Sequence, residues 1–265
     1  MFLENVRGHL SLGWDTVLCD LHDLSYDVRW TLLRAADVGA AHNRARLFAV
    51  AADRAVHRWA TPTGWPVARI ANGTLNAPHD GLFGTHPLSL AENGHVPMWP
   101  AGLMINGVVW EQDALLSTAQ YELLPTPRTS DTNGVGEHGT GGLDLRTAVE
   151  MLPTPTDPSG ATRWGRYAAA VARCEALTRP APDPTLPSGK SGAHRLSPAF
   201  VEFLMMLPAG WVTDPALWTH LSASAARNVQ LKLLGNGCVT AQAAAAWRHL
   251  TNGLATTTQV TVLGA

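Results

Sequence analysis

The chain has 265 residues, enough for one large domain or two small ones with a sizeable apolar core. Hydrophobic residues make up 46% of it and charged residues 15%, which indicates a globular protein, and the net charge of −2 excludes an overall basic field for nucleic acid. Because it has neither an apolar run of about 18 residues nor a signal-peptide pattern, we expect a cytoplasmic protein with no membrane partner.

The first fifty residues predict a helix followed by two strands. Apolar residues recur at helical spacing over residues 14–24, which predicts the helix. Strands are predicted over residues 27–33 and 46–51, the second with the sequence RLFAVA. This order is typical of part of an α/β sheet domain.

Residues 53–190 differ in character, because proline and glycine are frequent and long periodic stretches are rare. The residue before each proline favours extended or turn backbone, so we expect short strands and many loops. One helix is predicted over residues 163–177. Loops on an α/β frame commonly carry binding residues, so this region is interpreted as the part that confers specificity.

The remaining segment, residues 191–265, is predicted to be helical again. Ser197 followed by Pro198 is a favoured helix start, and this helix is expected to run to about residue 207. A turn at residues 235–237 and a final helix over residues 239–250 follow. We therefore expect a frame in residues 1–52 and 191–265 with an insert between them.

Two matches to nucleotide-binding loops fail in their context. Residues 134–139 fit Gly-x-Gly-x-x-Gly, but polar turn residues precede them where a strand is required. Residues 189–191 resemble the end of a Walker A motif, but Pro184 stands where its first glycine belongs. Both are interpreted as solvated loops.

Cysteine and histidine spacing predicts neither a disulfide framework nor a metal site. The three cysteines, Cys19, Cys174 and Cys238, are widely separated and form no Cys-x-x-Cys pair. None of the eleven histidines has a His-x-x-x-His or His-Glu-x-x-His spacing. We therefore expect no metal.

Three short clusters are each weak indications when taken alone. They are Glu-Asn-Val at residues 4–6, His-Asn-Arg-Ala-Arg at residues 42–46 and Gly-Asn-Gly at residues 235–237. A chance match, a solvated strand edge and a turn would explain them one by one. The two arginines of the second cluster, at i and i+2 before the RLFAVA strand, are expected on one side of it.

In their order and separation the clusters resemble the DNA cytosine-5 methyltransferases of bacteria and phages. That family has Glu-Asn-Val, then Gln-x-Arg-x-Arg before a strand, a variable target-recognition region, Arg-Leu-Thr/Ser leading to Phe/Leu-Pro-x-x-Trp, and a last Gly-Asn-x-Val. The corresponding segments here are residues 4–6, 42–46, 53–190, 195–211 and 235–236. The resemblance implies an α/β fold, an incomplete Rossmann-like S-adenosylmethionine-dependent methyltransferase domain with an inserted loop-rich target-recognition domain.

The chain departs from the family pattern in two respects. His42 stands in the place of the family's glutamine. The Phe-x-Gly-x-Gly loop that holds the methyl donor and the Pro-Cys-Gln loop that carries the nucleophile are absent, and no cysteine follows a proline. The resemblance therefore implies a complementary N-terminal methyltransferase subunit that supplies both loops; the alternatives are that this part has been lost or that it is encoded upstream of Met1.

The resemblance also implies a role for each motif residue. In this family a cysteine thiolate adds to C6 of a flipped cytosine, and C5 then accepts the methyl group. Glu4, in a closed pocket that keeps it protonated, would hydrogen-bond N3 of the ring, with Asn5 and Val6 completing the structural motif. Arg46 would face the cytosine carbonyl oxygen, and Arg44 the flanking phosphate or the nucleophile loop.

Gly235, Asn236 and Gly237 would close over S-adenosylmethionine, the implied cofactor. Double-stranded DNA is the implied partner, and the insert would read its major groove. The candidate contacts are the arginines Arg128, Arg146, Arg163 and Arg166.

The leading hypothesis is thus a DNA (cytosine-5)-methyltransferase chain that acts on a specific DNA sequence together with a complementary subunit. The alternative is a non-catalytic, sequence-specific DNA-binding module or a truncated remnant of such an enzyme. Solubility and specific DNA binding of the chain alone would distinguish the two, provided that the salt concentration is stated.

Overall fold

The computed structural model describes residues 1–76, 99–115, 122–132, 143–152, 163–188 and 193–256. Its contacts divide the chain into two compact units. Unit 1 comprises residues 1–33, 45–116 and 244–265, and unit 2 comprises residues 34–44 and 117–243. The sequence predicted boundaries at residues 52 and 190, and the limits of the two compact units lie elsewhere. The predicted boundaries concern which residues recognise DNA, and they stay a prediction.

Within the described residues the chain is a mixture of helices and strands, as the sequence predicted. The strands are β1 (Phe2–Val6), β2 (Tyr26–Arg34), β3 (Ala45–Asp53), β4 (His57–Arg58), β5 (Ala68–Ala71), β6 (Thr74–Asn76), β7 (Ala101–Ile105), β8 (Val108–Glu111), β9 (Thr185–Ser188), β10 (Ala193–Leu196) and β11 (Ala255–Thr256). The α-helices are α1 (Trp14–Asp23), α2 (Leu145–Glu150), α3 (Ala168–Leu177), α4 (Pro198–Leu204), α5 (Ala223–Asn236) and α6 (Thr240–Thr251).

Unit 1 is built on a seven-stranded sheet with the order β1-β3-β2-β7-β8-β5-β6. The pairs β1–β3, β2–β7, β7–β8, β8–β5 and β5–β6 are antiparallel. Asn-Gly turns with positive φ, at residues 72–73 and 106–107, close two of its hairpins. The sheet thus has antiparallel pairings where a Rossmann-like domain would have mostly parallel ones.

Both faces of the sheet are covered at β3. Leu47 and Ala49 lie in the apolar core with α1. On the opposite face Phe48 stacks on Phe2 with ring centroids 5.9 Å apart, and Trp247 of α6 meets Phe2 edge-on at 5.4 Å. Burial on two faces explains why the RLFAVA segment is a continuous apolar run. The predicted helix over residues 14–24 and the two predicted strands are confirmed.

Unit 2 has a separate apolar core, formed mainly by helices. The Ser197 hydroxyl accepts a hydrogen bond from the Phe200 amide and begins α4, as the sequence predicted. The helix α4 ends at Leu204, before residue 207, and Met206 then adopts a φ of 55°. The predicted helix over residues 163–177 is a short 3-10 turn followed by α3.

The expectation of a turn at residues 235–237 is wrong for its first two residues. Gly235 and Asn236 are the last residues of α5, a fourteen-residue helix that the sequence did not predict, and Gly237 follows as its C-cap. The two rejected nucleotide-loop matches, residues 134–139 and residues 189–191, lie outside the described residues.

A buried carboxylate organises the segment after α4. Glu202 is 1% exposed, and its two oxygens accept hydrogen bonds from the amides of Gly210, Val212 and Thr213 and from the Thr213 hydroxyl. The Arg179 guanidinium lies 3.5 Å from the same carboxylate. One side chain therefore fixes the Leu-Pro-Ala-Gly-Trp segment that the sequence analysis singled out.

We expect Glu202→Gln to lower the free energy of unfolding of unit 2 by about 3 kcal/mol, because an amide nitrogen cannot accept these bonds and Arg179 loses its partner. Urea unfolding followed by tryptophan fluorescence measures the loss. The matched control is Glu150→Gln, at an exposed position in α2, which should change little. Equal midpoints for the two variants would contradict this role of Glu202.

Candidate functional site

The β1–β3 ladder brings together two of the predicted site residues. Glu4 pairs with Phe48 and Val6 pairs with Arg46, so Glu4 and Arg46 are diagonal neighbours on one face of the sheet. The Arg46 Nε donates to Glu4 Oε1 at 2.7 Å. A carboxylate and a guanidinium from two strands therefore form one polar site in unit 1.

The site is open to solvent on the Glu4 side. The Glu4 side chain is 37% exposed and that of Arg46 is 15% exposed. Phe2, Phe48 and Trp247 form an aromatic cluster on the same sheet face, and this cluster was not predicted from the sequence. The closed pocket expected around Glu4 is not formed by the part of the chain that the structure describes.

Arg44 is held by backbone groups of unit 2. Its guanidinium is buried and donates to the carbonyl oxygens of Pro127 at 2.9 Å and Gly235 at 2.8 Å. The fork of an arginine suits two acceptors at once, so Arg44 joins the segment at residue 127 to the end of α5. Its expected contact with a phosphate or with the nucleophile loop would require these bonds to be exchanged, and it stays a prediction.

Arg44 and Arg46 were expected on one side of the same strand. This expectation is wrong, because β3 begins at Ala45, after Arg44. The Arg44 carbonyl oxygen accepts hydrogen bonds from the Gln242 side chain at 2.8 Å and from the Ala35 amide at 3.1 Å. Gln242 is fully buried in α6. The sequence analysis missed it, since a single glutamine in an alanine-rich helix carries no local signal.

His42 occupies a buried structural position. Its Nε2 lies 3.1 Å from the Leu204 carbonyl oxygen, and its backbone forms a parallel bridge with Leu124. An imidazole N–H donates one hydrogen bond, as the amide of a glutamine does. His42 therefore makes a buried hydrogen bond within unit 2.

Among the candidate cofactor residues, Gly235 packs closely against a neighbouring backbone segment. A Cβ at Gly235 would lie 2.4 Å from the backbone carbon of Arg128, and the Gly235 carbonyl is bonded to Arg44. Asn236 is exposed. As placed, these residues do not by themselves form a cradle for S-adenosylmethionine.

Arg146 is buried and paired, unlike an arginine that is free to contact a DNA groove. Its side chain is 6% exposed and forms an ion pair with Asp144 at 2.9 Å. Arg128 is exposed, and its backbone amide donates to Asp131 at 2.7 Å. Burial raises the pKa of Asp131 despite the hydrogen bond from Arg128, with nearby Asp144 adding to the rise. Of these two arginines, only Arg128 presents its side chain to solvent.

The other two candidate arginines lie near the start of α3. Arg163 pairs with Asp183 at 2.6 Å and lies 4.6 Å from the ring centroid of Trp164. Arg166 lies 3.6 Å from Glu122, with both side chains more than half exposed. Exposed ion pairs of this kind contribute little to stability, and contact of either arginine with DNA stays a prediction.

Cys19 and Cys174 do not have the environment of a nucleophile. Burial, helped by nearby Asp15, raises the pKa of the Cys19 thiol, and burial also raises that of the Cys174 thiol. A raised pKa lowers the thiolate fraction near neutral pH. The Cys238 Sγ lies 3.5 Å from the Val239 carbonyl oxygen.

Two kinds of feature are absent from the described residues. No three histidine, cysteine, aspartate or glutamate side chains come together there as a metal site would require. No helix in those ranges is both long enough and apolar enough to cross a membrane.

We expect Gly235→Ala to destabilise unit 2 by about 1–3 kcal/mol, because the added methyl group would overlap the backbone at Arg128. The control is Gly237→Ala, where the nearest heavy atom is 3.4 Å away and φ is −61°, so an alanine fits. Urea unfolding compares the two. Equal stability of both variants would contradict the packing role of Gly235.

The comparisons with known proteins bear on the N-terminal part of the chain. No curated protein and no solved structure matches the chain. Residues 1–76, which include Glu4, Arg44 and Arg46, match the family model of the C-5 cytosine-specific DNA methylases. This match shows that residues 1–76 are similar to that family.

Proposed function

We propose that the chain is the cytosine-binding part of a bacterial or phage DNA (cytosine-5)-methyltransferase. In this proposal it helps to transfer a methyl group from S-adenosylmethionine to C5 of a flipped cytosine in a specific sequence of double-stranded DNA. The observation that carries the proposal is the ion pair between Glu4 and Arg46, which lies within the segment that matches the family model.

The two side chains suit the charge that develops on the base. Addition of a thiolate to C6 places negative charge on the ring nitrogen N3 and the carbonyl oxygen O2. A guanidinium has five N–H donors, so Arg46 can hold Glu4 through Nε while another N–H binds O2. Glu4, carrying a proton, then donates it toward N3.

The proposed role of Glu4 needs a drier environment than the chain alone provides. The carboxylate is 37% exposed here, and desolvation is what favours the protonated form of a carboxyl group. In the proposal the flipped base and the nucleophile loop cover this site and exclude water. The methyl donor, when bound, supplies the electrophilic carbon.

We propose that a complementary segment supplies the Pro-Cys-Gln and Phe-x-Gly-x-Gly loops, which these 265 residues do not contain. The buried environments of Cys19 and Cys174 support this division of roles. The same segment would complete the Rossmann-like sheet next to β1. Residues 53–190 remain the proposed target-recognition region.

The proposal is tested by methyl transfer in a complemented protein. The 265-residue chain is combined with a segment bearing both loops, as a second chain or fused ahead of Met1, and tritium transfer from S-adenosylmethionine to DNA cytosine is measured. We expect transfer only when both parts are present. A complex that forms stably and binds DNA, yet transfers no methyl group, would favour a non-catalytic DNA-binding module.

In the active complex, Glu4→Gln should lower the rate of transfer about 100-fold, the usual cost of removing one hydrogen bond to a developing charge. The matched control is Glu111→Gln, an exposed glutamate on β8, which should leave the rate unchanged. Single-turnover kinetics at saturating DNA separates the chemical step from binding. If both variants retain the full rate, Glu4 has no part in the chemistry.

A further inference from the structure

Three arginines of unit 2 lie on β10, α2 and α5, and β10 contacts each of the two helices. Arg195 lies on β10, Arg146 on α2 and Arg227 on α5. The helix α2 packs on β10. Arg227 connects α5 to β10, since its Nε and Nη2 both donate to the carbonyl oxygen of Leu196, at 3.2 and 3.0 Å. The cluster therefore lies within unit 2.

The cluster carries more positive than negative charge. Burial lowers the pKa of Arg227, and the positive charges of Arg195 and Arg146 lower it further. Asp144 pairs with Arg146 at 2.9 Å. Across the described ranges, neither Arg195 nor Arg227 has a carboxylate within 4.0 Å. Mutual repulsion of this kind costs stability until an anion neutralises it.

Two of the three guanidiniums are already oriented. The paired bonds to Leu196 fix the plane of Arg227, and Arg146 is held by Asp144 with its Nε buried and without a hydrogen-bond partner in the described part of the chain. Arg195 is exposed, and it precedes Leu196, the residue whose carbonyl oxygen holds Arg227. An anion that binds there would meet groups whose side-chain entropy is largely lost already.

We propose that Arg195 and Arg227 bind a phosphodiester group of the DNA backbone, and that Arg146 contributes positive charge from behind them. The identity of the ligand rests on the proposed function, whereas the anion site itself rests on the arginine cluster. Guanidinium groups match the geometry of phosphate oxygens and form charge-assisted hydrogen bonds to them. A backbone contact fixes the position of the duplex and reads no base.

The salt dependence of DNA binding tests this contact. Anisotropy of a fluorescein-labelled duplex is measured with the complemented protein over a range of KCl concentrations for the wild type, Arg195→Gln, Arg227→Gln and the double variant. Each lost phosphate contact should reduce the slope of log K against log [KCl] by about 0.9, and the double variant by about twice that. The control is Arg69→Gln, an exposed arginine on β5, which should leave the slope unchanged.

Inorganic phosphate tests the anion site without DNA. At constant ionic strength, replacing chloride by phosphate should raise the melting temperature of the wild type and of Arg69→Gln more than that of the double variant. If Arg227→Gln does not fold, Arg195→Gln carries the test, because Arg195 is exposed.

The outcomes separate the two proposals. Normal salt slopes in both arginine variants, with DNA bound, would overturn the phosphodiester contact. If the complemented wild type does not bind DNA but is stabilised by phosphate through Arg195 and Arg227, the anion site is supported with free phosphate as its ligand, and the proposed function is contradicted. A wild type that responds to neither would overturn the inference.

Discussion

Five residue pairs join β1 to β3, and the register of this ladder determines which side chains of unit 1 face the core. Leu47 and Ala49 pack with α1, so the alternate residues of both strands, including Glu4 and Arg46, must lie on the opposite face. A slip by one residue would bury the carboxylate and the guanidinium and expose the apolar side chains. The same apolar pattern that stabilises the sheet thus places the candidate site.

The two arginines of the 42–46 cluster show how closely spaced residues acquire different roles. Arg46 lies within β3 and has a carboxylate partner, whereas Arg44 precedes the strand and is bonded to two backbone carbonyls. The carbonyl of Gly235 is one of them, so two segments almost two hundred residues apart in the chain meet at Arg44. Within unit 2, the Arg44 side chain therefore links the 42–46 cluster to the 235–237 cluster through a hydrogen bond to a backbone carbonyl.

Local sequence was sufficient to predict α1, β2, β3 and the start of α4. In the first three the spacing of apolar residues identifies the element, and in α4 the capping serine and the proline after it mark the start. The Asn-Gly pairs at residues 72–73 and 106–107 were an available hairpin signal as well. The helix α5 was missed because its end contains Gly235, which is glycine on account of the nearby backbone at Arg128. The contact between Glu4 and Arg46 depends on strand pairing, which no local pattern specifies.

The central claim is that this chain supplies the carboxylate and the guanidinium of a cytosine-5 methyltransferase while another segment supplies the thiolate. It is tested most directly with DNA containing 5-fluorocytosine, because the fluorine prevents loss of the C5 substituent and leaves the nucleophile covalently attached at C6. Mass spectrometry of the trapped, complemented protein identifies the cysteine. We predict attachment at the Pro-Cys-Gln cysteine of the added segment; attachment at Cys19, Cys174 or Cys238 would contradict the account.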